Sequence, residues 1–211
     1  MYKPLCIAGL ILLIAGLAAI AYSFKWEADL EAIVDGMTGG VEWNVTWYEV
    51  IDSSGEFGGI VGSSMLPARF VRRGITYTDP TGKEWADTFG FEATMTIDVP
   101  RDLTVIFRAG SDDGIILFVD GEKVIDGWRL RGYTIDEAEF NLSAGRHELK
   151  LKWYEWGGGQ DASFDVKLAD WRQATSMRTN GGGVGFLGGF LATLGAVLPP
   201  TILKRKKAEV K

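Results

Sequence analysis

The chain has 211 residues, 46% of them hydrophobic, and carries 28 acidic against 22 basic side chains for a net charge of −6. An acidic surface repels phosphate backbones and anionic lipid heads, so nucleic acid is excluded as a partner. One cysteine, Cys6, rules out an internal disulfide framework, and one histidine, His147, rules out a paired-histidine metal site and makes a Ser/His/Asp triad hard to build.

The chain opens with an uncharged run, Leu5 to Phe24. About 20 such residues in a helix match the hydrocarbon core of a bilayer, so residues 1–24 are expected to form a transmembrane helix. The alternative is a cleaved signal peptide, because Ala19-Ile20-Ala21 fits a small-x-small cleavage site. Against it, the run is long for a signal sequence, and Lys3 is the one basic side chain before it. Residues 25–40 follow as a juxtamembrane segment: Trp26, Leu30, Ile33 and Val34 have helical spacing, and Gly39-Gly40 reads as a stop.

From Val41 the apolar period becomes two. Trp43, Val45 and Trp47 alternate with Asn44, Thr46 and Tyr48, and the same pattern recurs over Ala93–Val99, Leu149–Tyr154 and Phe164–Leu168. These are strands with one wet face. Ile115 to Val119 is apolar throughout, as in a central strand covered on both sides. Turn residues punctuate these runs, and Asp120-Gly121 between two apolar runs is a strong hairpin signal, because both central residues of such a turn need positive φ. An all-β sandwich or barrel over residues 41–171 follows. Asn44-Val45-Thr46 and Asn141-Leu142-Ser143 are sequons, which makes Asn44 and Asn141 candidate glycosylation sites.

Residues 172–183 end in Gly181-Gly182-Gly183 and read as a flexible tether. Residues 184–203 form a second uncharged segment, expected to span the membrane with its last turn broken by Pro199-Pro200, and 204–211 form a basic tail. Lys3 at one end and Lys204-Arg205-Lys206-Lys207 at the other place both termini in the cytoplasm and the middle domain outside the cell. From Lys25 to Gly183 there are 16 basic and 27 acidic residues, a net of −11, which suits an exported domain in contact with cations. Gly188-Gly189, Ala192 and Gly195 suit close helix approach, including to partner subunits.

Between two of the strands lies Gly110-Ser111-Asp112-Asp113-Gly114. Adjacent carboxylates repel each other, so a turn that holds both needs a cation or a dense shell of hydrogen bonds. The plainer reading is that Asp112 caps the turn by accepting backbone N–H bonds, and that the many tryptophans pack the core. Asp112 and Asp113 are too close in sequence to flank a scissile glycosidic bond, which excludes a paired-carboxylate glycosidase.

The run from Asp102 to Arg108, Ser111-Asp112-Asp113-Gly114, Leu117-Phe118-Val119-Asp120-Gly121 and Val124-Ile125-Asp126-Gly127-Trp128 resembles the protective-antigen fourteen-kilodalton domain family. Leu142 to Leu149 with Trp153-Tyr154-Glu155, and Ala162 to Trp171, are similar to that family's later hairpin and closing strand. The resemblance implies a β-sandwich of the kind found in anthrax protective antigen, yeast flocculins and epithelial adhesins, and inserted in some glycosidases. In its adhesin members an Asp-Asp pair joined by a cis peptide binds calcium, which binds sugar hydroxyls in turn. Asp112 and Asp113 match that pair. The family's later-loop asparagine has no counterpart here, where Gln160 and Asp161 follow three glycines. The resemblance therefore implies Asp112, Asp113 and Asp161 as calcium ligands, and Gln160, Trp128 and Trp156 as contacts for a glycan.

The expectation is a membrane-anchored, extracellular, calcium-assisted binding module for glycans or surface proteins, with no catalytic role. The alternative is a structural subunit of a membrane or cell-surface assembly with no ligand of its own.

Overall fold

The computed structural model describes residues 3–198. The expectations for Pro199-Pro200, the end of the second apolar segment and the basic tail 204–211 lie outside the described residues. The described residues divide into two compact units, one built from residues 3–30 and 170–198 and one from residues 31–169.

The first unit contains most of α1 (Lys3–Thr38) and all of α2 (Trp171–Val197). Both are long and apolar enough to cross a membrane, with mean hydropathies of 2.6 and 1.2 over their most apolar stretches, and little of either stretch is buried within the protein. Glycine sets how they meet. A Cβ on Gly16 would lie 2.4 Å from the Gly185 nitrogen and 2.5 Å from the Gly181 carbonyl oxygen. One on Gly188 would lie 2.3 Å from the Leu13 nitrogen. Backbone touches backbone, as small residues allow. Beyond this seam Glu27 of α1 accepts hydrogen bonds from Thr175 Oγ1 at 2.9 Å and Arg178 Nη1 at 2.5 Å.

Two sequence expectations change here. Residues 172–183 are helical rather than a tether, because Gly181 contributes to the α1 contact that compensates its poor helix propensity. The juxtamembrane segment 25–40 is no separate helix either: α1 runs without a break to Thr38, and the chain leaves it at Gly40, whose φ is 74°. The glycine stop stands where expected.

The second unit holds twelve strands in chain order: β1 (Glu42–Val50), β2 (Phe57–Pro67), β3 (Phe70–Gly74), β4 (Tyr77–Thr78), β5 (Glu84–Trp85), β6 (Phe89–Val99), β7 (Leu103–Ser111), β8 (Gly114–Val119), β9 (Glu122–Gly127), β10 (Thr134–Leu142), β11 (Gly145–Glu155) and β12 (Asp161–Leu168). A six-stranded antiparallel sheet has the order β2-β1-β6-β11-β8-β9, a four-stranded one the order β10-β7-β12-β3, and β4 pairs with β5. The core is aromatic: Trp43, Trp47, Phe89, Phe91, Phe107, Trp153 and Phe164 are all buried. Trp43 meets Phe164 edge-on with centroids 5.2 Å apart, joining the two sheets. Trp43 Nε1 donates to the Ala68 carbonyl at 3.1 Å and Trp47 Nε1 to Ser64 Oγ at 2.8 Å, so these two rings bury their polar atoms with partners.

β8, expected at the centre, lies one strand from the edge; β6 and β11 occupy the middle. Leu117 and Val119 are fully buried, while Ile116 and Phe118 on the opposite face are half-buried. The β8–β9 hairpin has the expected turn, with φ of 49° at Asp120 and 82° at Gly121. At the start of this unit, Glu31 and Asp35 in the last turns of α1 form ion pairs with Arg69, at 2.5 and 3.0 Å, and Lys167 bonds Glu31 at 2.9 Å.

Candidate metal site at the Asp112–Asp113 turn

Strands β7 and β8 belong to different sheets, and the chain crosses between them in two residues, Asp112 and Asp113. Their peptide bond is cis. The turn is held from three sides: Asp112 N–H donates to the Asp161 carbonyl at 2.8 Å, Asp113 N–H to the Tyr154 carbonyl at 3.2 Å, and Ser111 Oγ to the Asp113 carbonyl at 2.7 Å. Gly114 is required beside it, since a Cβ there would meet the Tyr154 ring at 2.1 Å.

Asp113 is buried and clasps the surrounding loops. Its Oδ1 accepts from the Arg131 N–H and its Oδ2 from the Trp156 N–H, both at 3.0 Å. Asp113 thus fills the turn-capping role that the sequence suggested for Asp112. Arg131, in the loop after β9, has its guanidinium buried here; it donates through Nε to the Asp113 carbonyl at 3.2 Å and through Nη2 to Ser111 Oγ at 2.8 Å, and pairs with Asp136 at 2.5 Å. Gly127 makes room for that pair, because a Cβ there would lie 2.5 Å from both Arg131 Nη2 and Asp136 Oδ2.

The third acid is Glu155, at the end of β11. Oxygens of Asp112, Asp113 and Glu155 lie within 4.8 Å of one another. Glu155 is completely buried, and neither of its carboxylate oxygens has a hydrogen-bond partner. The nearby Gly157 N–H draws its pKa down but falls short of hydrogen-bond geometry. Burial first, and then the charge of Asp113, push the Glu155 carboxyl up to about 8. Asp112 is also raised, by burial and by Asp113, with the Tyr133 N–H pulling the other way.

A cluster of three carboxylates whose oxygens lie within 4.8 Å of one another offers only hard oxygen donors, the chemistry of calcium or magnesium rather than of zinc or copper. The residues fit such an ion, because a divalent charge would satisfy the two orphaned oxygens of Glu155 and offset the burial and the Asp113 charge that raise its pKa.

The other sequence candidates stand around this centre. The carboxylate of Asp161 is engaged by Arg72 at 2.6 Å, so Asp161 reaches the turn through its backbone carbonyl. The Gln160 carbonyl accepts from Ile75 N–H at 2.7 Å. Trp156 contributes its backbone N–H to Asp113. The Trp128 ring packs on Tyr154 with centroids 4.6 Å apart and edge-on to Phe57 at 5.8 Å, under the ammonium of Lys152. Asn44 and Asn141 are both exposed, the latter with Oδ1 accepting from Thr104 Oγ1 at 2.8 Å. Glu155 and Arg131 were not anticipated. Arg131 has no local signal, whereas Glu155 follows Leu149, Leu151 and Trp153 at two-residue steps, an acid on the core phase of its strand.

A family model for the PA14 domain matches residues 74–177. This stretch of the chain is similar to the PA14 domain family. The match begins at the end of β3, so β1 and β2 precede it. Over 70 residues the chain is 30% identical to the anti-sigma-I factor RsgI3 of Acetivibrio thermocellus, a stretch equal to 33% of this chain and 11% of that protein. The chain therefore corresponds to about a tenth of that relative's length. Among solved structures, an anti-sigma factor domain-containing protein has the same fold, with a TM-score of 0.51 and 23% identity over 61% of this chain and 43% of the other. A PA14 sugar-binding domain from an RTX adhesin aligns at a TM-score of 0.40 and 17% identity, covering 60% of this chain and 88% of that one.

Proposed function

We propose that this protein is a membrane-anchored binding module whose PA14 domain holds calcium at Asp112, Asp113 and Glu155 and uses it to recognise glycan hydroxyls, without catalysing a reaction. The observation that carries this reading is the buried, unpartnered carboxylate of Glu155 facing the Asp112–Asp113 turn. A buried acid with no partner is costly, and a cation offsets that cost. Both apolar helices anchor the domain, which faces the outside of the cell with the two termini in the cytoplasm.

The test is thermal unfolding of the full chain in detergent, in chelator and with excess calcium, followed by glycan-array binding under both conditions. A ligand that binds the native state alone raises the melting temperature once above its Kd. Calcium is expected to raise it, Asp113→Asn and Glu155→Gln to abolish the rise, and glycan retention to require the ion. Identical melting curves in chelator and in calcium would remove the metal site and the glycan reading with it.

A second reading is favoured by the likeness to proteins named as anti-sigma factors. In it the PA14 domain is the outer, sensing part of a transmembrane signalling assembly. The Glu31 and Asp35 pairs with Arg69 support it, since they tie the last turns of α1 to the domain. Binding of a cytoplasmic regulator to detergent-solubilised full chain would support this reading, and its absence from membrane pull-downs would count against it.

A further inference from the structure

Four strands bound the two large sheets: β2 and β9 at the edges of one, β10 and β3 at the edges of the other. Three of them are charged. β9 carries Glu122, Lys123 and Asp126, β10 carries Asp136, Glu137 and Glu139, and β3 carries Arg72 and Arg73. Such side chains are how natural sheets keep their edges from templating further pairing.

β2 differs. Its eleven residues, FGGIVGSSMLP, make it the longest of the four, and none is charged. Ile60 is 68% exposed and Met65 48% exposed. The ladder to β1 is irregular over the first half of β2 and regular from Gly62 to Pro67, where Trp47 to Glu42 pair residue by residue. The first half is thus bulged, which blunts an edge, and the second half is a regular stretch with no strand on its outer side.

We infer that residues 62–66 of β2 pair antiparallel with the same residues of a second copy of this chain, joining two six-stranded sheets about a two-fold axis. Charge selects the occupant. A two-fold pairing sets a strand against its own reversed copy, so β3 would oppose arginines to arginines and β10 acids to acids, at a cost in like-charge repulsion. β2 meets its copy without that repulsion, and the pairing covers Met65. The inference is independent of the metal site.

Two measurements on the full chain test it. In lipid nanodiscs loaded at excess lipid, or in detergent, sedimentation should give twice the chain mass of 23.1 kDa. The double substitution Ile60→Lys with Met65→Lys should return the monomer, while Lys123→Ala on β9 leaves the dimer unchanged. The double variant is accepted as folded if its far-ultraviolet circular dichroism and melting cooperativity match wild type. Should it misfold, the cysteine pair Ser63→Cys with Met65→Cys, positions that the two-fold sets opposite each other, and the single Lys123→Cys are each oxidised in native membranes in a Cys6→Ala background. Covalent dimers from the Ser63–Met65 cysteine pair and none from Lys123→Cys support the pairing. A monomeric wild type, a folded double variant that stays dimeric through its helices, or equal crosslinking at β2 and β9 would overturn it.

Discussion

At the scale of single residues, Glu155 carries the largest consequence. Its carboxyl holds a proton in the folded state up to about pH 8, whereas in the unfolded chain it loses it near its ordinary value. The folded state binds the extra proton, so by linkage this group's contribution is fully present below the unfolded pKa and is lost as pH rises through about 8. In chelator, Glu155→Gln should therefore change the melting temperature little at pH 4 and raise it at pH 8.5. Added calcium should remove that advantage, because the ion supplies the missing countercharge. An equal effect of the substitution at both pH values would show that Glu155 does not titrate as placed.

His147 provides a second residue-scale test. Its Nδ1 lies 2.6 Å from Asp120 Oδ2 and its Nε2 lies 2.9 Å from the Ser143 carbonyl, so the ring has an acceptor at each nitrogen and suits the doubly protonated form. Burial works against that charge, but the Asp120 hydrogen bond, the Ser143 carbonyl and the Asp120 charge outweigh it and raise the His147 pKa. Asp120 is lowered in turn: burial opposes its charge, and the bonds from His147 and the Glu148 N–H win. The raised histidine stabilises the fold below its unfolded pKa and ceases to as pH rises through its folded value. The lowered aspartate stabilises above its unfolded pKa and ceases to as pH falls through its folded value. The pair is intact between those limits. Since the chain has one histidine, a proton NMR titration reads it directly, and the midpoint should lie above about 6.5. A midpoint at or below that value would contradict the clamp.

At the scale of elements, the strands owe their burial to alternation and the helices their contact to glycine. Leu151 is fully buried on β11, opposite Ala93 on one side and Leu117 on the other. Leu151→Ala should cost about 2–5 kcal/mol in denaturant unfolding through lost burial and the cavity left behind. Arg146, three-quarters exposed beside Asp98, should cost no more than about 0.5 kcal/mol when changed to alanine. For the helices, Gly16→Leu would drive a side chain into the backbone of α2, whereas Gly189 faces open space. Spin labels on α1 and α2 should move apart in Gly16→Leu and keep their separation in Gly189→Leu; no change in either would mean that the glycine seam does not set the packing.

At the scale of the whole molecule, the proposed topology predicts that protease added to intact cells degrades the β-sheet domain and spares a tag placed after Lys211. Protection of the domain would reverse the orientation.

Much of this architecture was legible in the linear chain because its signals are local. Period-two alternation marks β1, β6, β11 and β12, the Asp120-Gly121 turn needs positive φ at both residues, and two uncharged runs stand at the chain ends. The Asp112–Asp113 turn was visible for the same reason, since two adjacent acids between glycines are a local anomaly. What depends on neighbours distant in sequence was not legible. Gly181 to Gly183 look like a flexible tether until α1 is laid against them, and then Gly181 becomes part of a helix seam. Ile115 to Val119 looks central from its apolarity, yet strand order arises from pairings across the fold, and these put β8 next to the edge. Glu155 joins Asp112 and Asp113 from more than forty residues away, because the end of β11 runs beside the start of β8. Sequence thus determined the elements and the charge anomaly, through local sterics and periodicity. Tertiary pairing alone decided which third acid stands with the two aspartates, because burial and electrostatic repulsion are properties of the folded neighbourhood.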